Sequence, residues 1–90
     1  MKKNICINIF GTIYAIDEDA YQLLENYLQS MKSYFQRQEG GEEIADDIEH
    51  RVAELLWERK EQGMEAVNIE TVKEIIEKIG NATDIDDEAN

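Results

Sequence analysis

The stretch from residue 42 to residue 62, which reads EEIADDIEHRVAELLWERKEQ, constrains the fold of this chain more than any other. Its apolar residues recur at the three- and four-residue spacing of an amphipathic helix, which places them on one side. They are Ile44, Ile48, Val52, Leu55 and Leu56. Acidic residues occupy most of the remaining surface of this helix. We therefore expect the segments before and after it to cover the apolar stripe and to leave the acidic side outside.

Residues 4–16 have the pattern of a β-hairpin. Isoleucines recur at every second position of the first half, which is the period of a half-buried strand. We expect Gly11 and Thr12 to form a two-residue turn with glycine first, which places Phe10 opposite Ile13. The face expected to pack on the helices consists of Ile5, Ile7, Ile9, Tyr14 and Ile16. The other face is also apolar and consists of Cys6, Phe10, Ile13 and Ala15.

Two more helices flank the central one. Asp17 is expected to cap a helix that runs to about Arg37, with its carboxylate accepting from backbone N–H groups. The glycines at 40–41 allow the chain to turn into the central helix. Asn68 is the predicted N-cap of the last helix, and Gly80 is the residue that ends it.

These elements predict an α+β fold with the order β-β-α-α-(β)-α. The bracketed element is a short extended link at residues 64–67, which adds a small strand or simply bridges two helices. Three amphipathic helices and one hairpin each need a cover for their apolar side, and one shared core satisfies all of them. We expect a single small domain over residues 1–83 and an acidic, flexible tail over residues 84–90.

Composition limits the partners of this chain. Its net charge is −12 and its pI is near 4.3, so phosphate backbones and anionic membrane surfaces would be repelled. The single cysteine, Cys6, rules out an internal disulfide framework and fits a reducing compartment. The sequence shows neither a signal peptide nor an apolar run long enough to span a membrane. It predicts a soluble, cytoplasmic domain whose partners are basic proteins or cations.

Three segments of the chain resemble a known bacterial region. They read INIFGTIYAIDEDAYQLLENYLQSMKSYF, EEIADDIEHRVAELL and VNIETVKEIIEKIG, and together they span nearly the whole chain. They resemble the amino-terminal cytoplasmic region of Bacteroidetes proteins that carry a phage-shock-protein-C (PspC) domain. From Tyr21 onward the chain is also similar to the helical HAAS signalling domain. The most specific pieces are residues 17–21, residues 47–49 with Arg51, and residues 79–80.

The resemblance implies a regulatory region fused to a membrane-embedded PspC domain in stress-responsive transcriptional regulators. A membrane-spanning PspC domain is then expected to follow in the full-length protein, with this region on the cytoplasmic side of the inner membrane. This chain has Ala82 at the position where the family has proline after the last helix. The end of that helix is therefore expected to be less rigid than in the family. The resemblance carries no catalytic residues.

Candidate catalytic and metal sites are weak in this sequence. His50 has Asp46 one turn before it and Glu54 one turn after it, which fits a metal ligand, a general base or a solvated histidine among acids. A lone histidine is weak evidence for a metal site. The acidic spacing at 84–88 lacks the glycine and the bidentate glutamate that close a calcium loop. We therefore expect no metal, no cofactor and no enzyme activity.

Trp57 is the strongest candidate for a binding residue. It projects about opposite Ile48, from the acidic side of the central helix, and exposed tryptophans are enriched in binding hot spots. The alternative is that the hairpin or the chain ends fold over it. Two strands alone are marginally stable, so the apolar outer face of the hairpin indicates either a further strand or a partner. The predicted partner-binding residues are Trp57, His50, Glu54, Phe10, Ile13 and Cys6.

These observations favour a non-enzymatic protein-interaction and signal-input domain. Its acidic helix would steer a basic protein partner, a second copy in a homodimer, or the continuation of the same protein. The family resemblance also invites a DNA-binding transcriptional regulator, although the last helix sets Glu70, Glu74 and Glu77 against two lysines. A small metal-responsive or hydrolytic domain that uses His50 is the third hypothesis.

Overall fold

The structure, a computed structural model, describes residues 3–80. The elements, in chain order, are β1 (Asn4–Ile9), β2 (Thr12–Asp17), α1 (Glu18–Phe35), α2 (Gly41–Glu61) and α3 (Ile69–Ile79). This confirms the predicted α+β order of a hairpin followed by three helices. The tail predicted for residues 84–90 and the position of Ala82 lie outside the described residues.

The hairpin turn lies one residue earlier than predicted. Ile9 pairs with Thr12 in the antiparallel ladder, so the two turn residues are Phe10 and Gly11. Both have positive φ, 46° and 86°, as in the type I′ turns that match the twist of paired strands. The side-chain oxygen of Asn8 stabilises the turn by accepting a hydrogen bond from the backbone N–H of Gly11 at 2.9 Å. The prediction that Gly11 and Thr12 form the turn is wrong.

The two faces of the hairpin follow from this register. The predicted inner face is confirmed, and its residues Tyr14 and Ile16 are buried in the core. The predicted outer face is right for Cys6 and Ala15, which pair with each other, but wrong for Phe10. Phe10 does not lie opposite Ile13, because the shifted turn moves it out of the ladder to the tip of the hairpin.

β2 makes backbone hydrogen bonds along both of its edges. One edge pairs with β1. Along the other, the N–H of Val67 donates to the carbonyl oxygen of Ala15 at 2.8 Å, and the N–H of Asp17 donates to the carbonyl oxygen of Val67 at 2.9 Å. These bonds form one parallel bridge between Ile16 and Val67. The small strand predicted at 64–67 is therefore a single bridge residue, and both bridge residues are fully buried.

Both predicted N-cap residues, Asp17 and Asn68, occupy the N-cap position, but only Asn68 makes the predicted side-chain hydrogen bond. The side-chain oxygen of Asn68 accepts from the backbone N–H of Thr71 at 2.9 Å, which caps α3 as expected. Asp17 occupies the N-cap position of α1, yet its carboxylate makes no capping hydrogen bond. Its carboxylate accepts instead from the side-chain nitrogen of Asn4 at 3.3 Å. The acid therefore ties the end of β2 to the start of β1.

One hydrophobic core joins the hairpin, the link and all three helices. Its buried apolar residues are Tyr14, Ile16, Ala20, Leu24, Tyr27, Met31, Phe35, Ile48, Val52, Leu56, Val67, Val72 and Ile75. The predicted stripe of α2 is buried along its centre and partly exposed at Ile44 and Leu55. The phenol of Tyr27 donates to the carbonyl oxygen of Gly80 at 2.7 Å. Burial raises the pKa of Tyr27 to about 12, so the phenol remains a donor at neutral pH and holds the end of α3 against α1.

The two glycines between α1 and α2 have different roles. Gly40 adopts a left-handed conformation with φ of 76°, and a Cβ added there would meet nothing within 4 Å. Gly41 is buried, and a Cβ there would overlap the backbone carbonyl of Phe35. The first residue of α2 must therefore be glycine because the last turn of α1 lies directly against it.

We expect Gly41→Ala to destabilise the domain by about 2 kcal/mol, because α2 must move away from α1 to remove the overlap. Gly40→Asn is the matched control, since asparagine tolerates a positive φ and has open space at this position. Urea unfolding followed by circular dichroism measures both free energies. Equal losses at the two glycines would contradict the close approach of α1 and α2.

Candidate functional site

A surface groove of about 290 Å³ opens between the tip of the hairpin and the outer side of α2. We call it the tip groove. Its lining residues are Ile9, Phe10, Thr12, Tyr14, His50, Ala53, Glu54 and Trp57. The groove forms because β2 packs on the core through Tyr14 and Ile16, which brings the Phe10–Gly11 turn beside α2. Its α2 residues recur at three- and four-residue intervals and so share one side of the helix.

His50 is held by one stack and one hydrogen bond. The Phe10 ring stacks on its imidazole with ring centroids 4.2 Å apart and an angle of 19° between the planes. Its Nδ1 lies 2.8 Å from the backbone carbonyl oxygen of Asp46. Because a carbonyl oxygen only accepts, Nδ1 carries the proton, and Nε2 is the acceptor of the neutral ring. His50 is exposed as a residue, and these two contacts orient its imidazole.

Three aromatic residues line the tip groove. Trp57 on α2 is 48% exposed and Phe10 at the hairpin tip is 56% exposed. The third, Tyr14, is 4% exposed, and burial raises the pKa of its phenol. The faces of such rings attract apolar groups and cations. The groove is therefore suited to a side chain that combines an apolar stem with a positive charge.

The charge around the tip groove is negative. Glu54 lines the groove, and the exposed Glu58 and Glu61 continue the same side of α2. The two basic residues near the end of α2 have other contacts. Arg59 forms an ion pair with Glu74 of α3, while Lys60 donates to a backbone carbonyl of β2 at 3.1 Å. The lining of the groove therefore carries the carboxylate of Glu54, while the Lys60 ammonium lies beside the Tyr14 ring.

Lys60 also fixes the hairpin to α2. Its ammonium donates to the carbonyl oxygen of Ile13 and lies 5.3 Å from the centroid of the Tyr14 ring. A lysine at this distance from an aromatic face makes a favourable cation–π contact. The groove thus rests on a hairpin that is attached to α2 by polar contacts as well as by the core.

Four of the six predicted partner-binding residues line the tip groove: Phe10, His50, Glu54 and Trp57. The other two, Cys6 and Ile13, lie on the outer face of the hairpin and do not line it. Cys6 is exposed, and Ile13 is 61% exposed. The alternative interpretation of Trp57, that the hairpin folds over it, is correct only in part. The hairpin tip lies beside Trp57 and leaves about half of the side chain bare.

Sequence reasoning missed the contributions of Ile9, Thr12, Tyr14 and Ala53 to the groove. The alternation of the strand predicts that Tyr14 lies in the core. Its place in the lining of the groove depends on how the hairpin packs against α2, which alternation does not show. The stack of Phe10 on His50 was not predicted, because the predicted turn placed Phe10 in the strand ladder opposite Ile13. The one local signal that would have corrected the turn is Asn8, three residues before Gly11, because its side chain accepts the N–H of that glycine.

Residues 3–80 form neither a metal-binding cluster nor a membrane-spanning helix. No group of three or more His, Cys, Asp or Glu residues in this range could hold a metal ion. The hydrogen-bond partner of His50 is the backbone oxygen of Asp46, so the carboxylate-held imidazole considered from the sequence is not formed there. No helix within the same range is long and apolar enough to cross a bilayer.

Comparisons of the chain with protein-family models, curated proteins and solved structures find no match. The resemblance to the region that precedes PspC domains therefore stays a prediction. What the tip groove does must be inferred from its own residues, which combine exposed aromatic rings with acidic groups.

We expect neutral His50 to be protonated at Nδ1, because the Asp46 carbonyl requires a donor. Long-range ¹H–¹⁵N NMR distinguishes the two ring nitrogens, and His50 is the single histidine of the chain. The urea-unfolded chain is the control, since it lacks the bond to Asp46. A folded protein in which Nε2 carries the proton would contradict this geometry.

Proposed function

We propose that this chain is a non-enzymatic protein-interaction domain that binds its partner in the tip groove. We further propose that it is the signal-input region of a PspC-like stress-response or transcription-regulatory protein. This proposal places the domain in the cytoplasm, either as a separate protein or as the cytoplasmic part of an inner-membrane protein. The observation that carries the interaction role is the convergence of Phe10, His50, Glu54 and Trp57 in one groove. The regulatory setting rests only on the resemblance of the three sequence segments.

Apolar anchorage is the first component of the proposed binding. Phe10 and Trp57 each leave about half of a large ring in water. A ring of this kind buries about 200 Å² when fully covered. At about 25 cal/mol per Å², covering the bare half of each ring would therefore contribute about 2.5 kcal/mol per ring. The Phe10 ring is held by its stack on His50, and Trp57 projects from a helix, so its backbone need not be ordered on binding.

Charge is the second component and determines the chemistry of the partner. Glu54 is an exposed carboxylate in the groove, and the free Nε2 of neutral His50 is also an acceptor. The net charge of −12 attracts positive segments over a distance set by the ionic strength. We therefore propose that the partner presents a short basic segment with one apolar residue, in which arginine donates to Glu54 and lies on the Trp57 ring.

A binding role suits this groove better than catalysis. A general acid or base needs a carboxyl or imidazole whose surroundings adjust its proton affinity. Glu54 and His50 are both exposed to solvent, and the Nδ1 proton of His50 is engaged by a backbone oxygen. The contacts of His50 orient its imidazole beside Phe10, as a binding surface requires.

Direct DNA binding is the alternative to test. The exposed residues of α3 include Glu70, Glu74 and Glu77, and carboxylates on a recognition helix oppose the phosphate backbone. An electrophoretic mobility shift of duplex DNA by this chain that weakened with added salt would favour the DNA-binding function over the proposed one.

The groove can be tested with its own tryptophan, because Trp57 is the single tryptophan of the chain. We expect arginine-containing peptides with one leucine to change Trp57 fluorescence in a saturable way, and acidic peptides with the same leucine to have no effect. Phe10→Ala should raise the Kd about 70-fold, which corresponds to the loss of about 2.5 kcal/mol from one apolar anchor. Higher salt should also weaken binding.

Tyr34→Ala is the matched control, because Tyr34 is a partly exposed aromatic residue on α1 that does not line the groove. Its affinity for the basic peptide should equal that of the unmodified chain. Failure of every basic peptide to bind, or equal losses in Phe10→Ala and Tyr34→Ala, would contradict the proposed role of the groove.

A further inference from the structure

β1 leaves one edge of the sheet open. The carbonyl oxygen of Lys3 accepts from the N–H of Glu18 at 2.7 Å, so this residue bonds toward β2. Backbone groups alternate in direction along an antiparallel strand. The N–H and C=O groups of Asn4, Cys6 and Asn8 therefore point away from β2. Within residues 3–80 the sheet has only two strands, so no strand pairs with this edge.

The open edge lacks the features that usually prevent strands from pairing. Natural edge strands are protected by charges, proline or bulges. β1 reads NICINI and has none of these, although the chain as a whole has a net charge of −12. Its inner-face residues Ile5, Ile7 and Ile9 are only half buried, whereas Tyr14 and Ile16 on β2 are buried. A further strand beside β1 would cover the remaining apolar surface.

We propose that two copies of this chain pair through β1, antiparallel about a two-fold axis at Cys6, to form a four-stranded sheet. The segment NICIN reads identically in both directions from Cys6. In this register Asn4 faces Asn8 of the second copy, and Ile5 faces Ile7 of the second copy. Each outward-pointing residue meets another, so every open N–H and C=O of Asn4, Cys6 and Asn8 finds a partner. If the register between the two copies shifts by two residues, one of Asn4, Cys6 and Asn8 no longer pairs with another of these three residues.

The side chains of this edge are complementary in the same register. Asn4 donates its amide nitrogen to Asp17, which leaves its amide oxygen as an acceptor. Asn8 uses its amide oxygen for the N–H of Gly11, which leaves its amide nitrogen as a donor. The two-fold axis places the Asn8 donor of one copy opposite the Asn4 acceptor of the other, once on each side of Cys6. Cross-strand polar pairs of this kind stabilise the pairing of strands.

The charge distribution favours a second copy at this edge. Two acidic chains repel each other over most of their surface, and β1 is a neutral strip where they can approach. The exposed acidic side of α2 takes no part in the contact. Salt should therefore strengthen this association by screening the like charges, whereas it should weaken the docking of a basic segment in the tip groove. The two surfaces can be tested separately.

Analytical ultracentrifugation of the reduced chain at low and high salt measures the association. We expect a mass of twice the 10.4 kDa of one chain, with a smaller dimer Kd at high salt. Cys6→Lys places two like charges opposite each other on the axis and should raise the Kd by about tenfold or more. Ile13→Lys makes the same charge change on the same outer face of the hairpin but on β2, and it should leave the dimer intact.

Amide hydrogen exchange of the unmodified chain tests the register without a mutation. The amides of Cys6 and Asn8 should become protected as the protein concentration rises, while those of Ile7 and Ile9 are protected by β2 at every concentration. A monomer mass under all conditions would overturn the proposal. So would a dimer that is unaffected by Cys6→Lys, or exchange at Cys6 and Asn8 that does not depend on concentration.

Discussion

The placement of β2 between two hydrogen-bonding neighbours is the constraint on which the rest of the structure depends. An isolated two-stranded hairpin is at best marginally stable in water. Here Val67 supplies a third strand position, because its backbone bonds to both Ala15 and Asp17. Ile16 and Val67 meet there with no exposure to solvent. The hairpin is therefore attached to the link between α2 and α3 by main-chain hydrogen bonds as well as by apolar packing.

Two surfaces with different chemistry follow from this placement. The turn of the hairpin is carried to the side of α2, where the stack of Phe10 on His50 completes the tip groove. Val67 bonds to one edge of β2 and β1 pairs with the other. Among residues 3–80, the outer edge of β1 therefore has no strand beside it. The groove is aromatic and acidic, whereas the edge is neutral and rich in backbone donors and acceptors. If both proposals hold, the fold separates the surface for a basic segment from the surface for a second copy.

Much of this fold could be predicted because the signals are local. The apolar period of α2 and the cap at Asn68 act within a few residues of the chain, and the structure confirms both. The turn could not be fixed in the same way. Alternation determines which residues share a face, but a register shifted by two residues keeps the same faces. Alternation therefore cannot decide whether the turn residues are Gly11–Thr12 or Phe10–Gly11. Other contacts decide it, and one of them is the hydrogen bond from the N–H of Gly11 to the side chain of Asn8.

The candidate site was predictable on its helical side, where His50, Glu54 and Trp57 share one face. Its hairpin side depended on tertiary contacts. The most direct measurement of the underlying constraint is amide hydrogen exchange at Asp17 and Val67 in the monomeric chain. Placement of β2 between two neighbours predicts that both amides exchange as slowly as the buried residues of the helical core. Exchange of either amide at the rate of an unstructured peptide would contradict it.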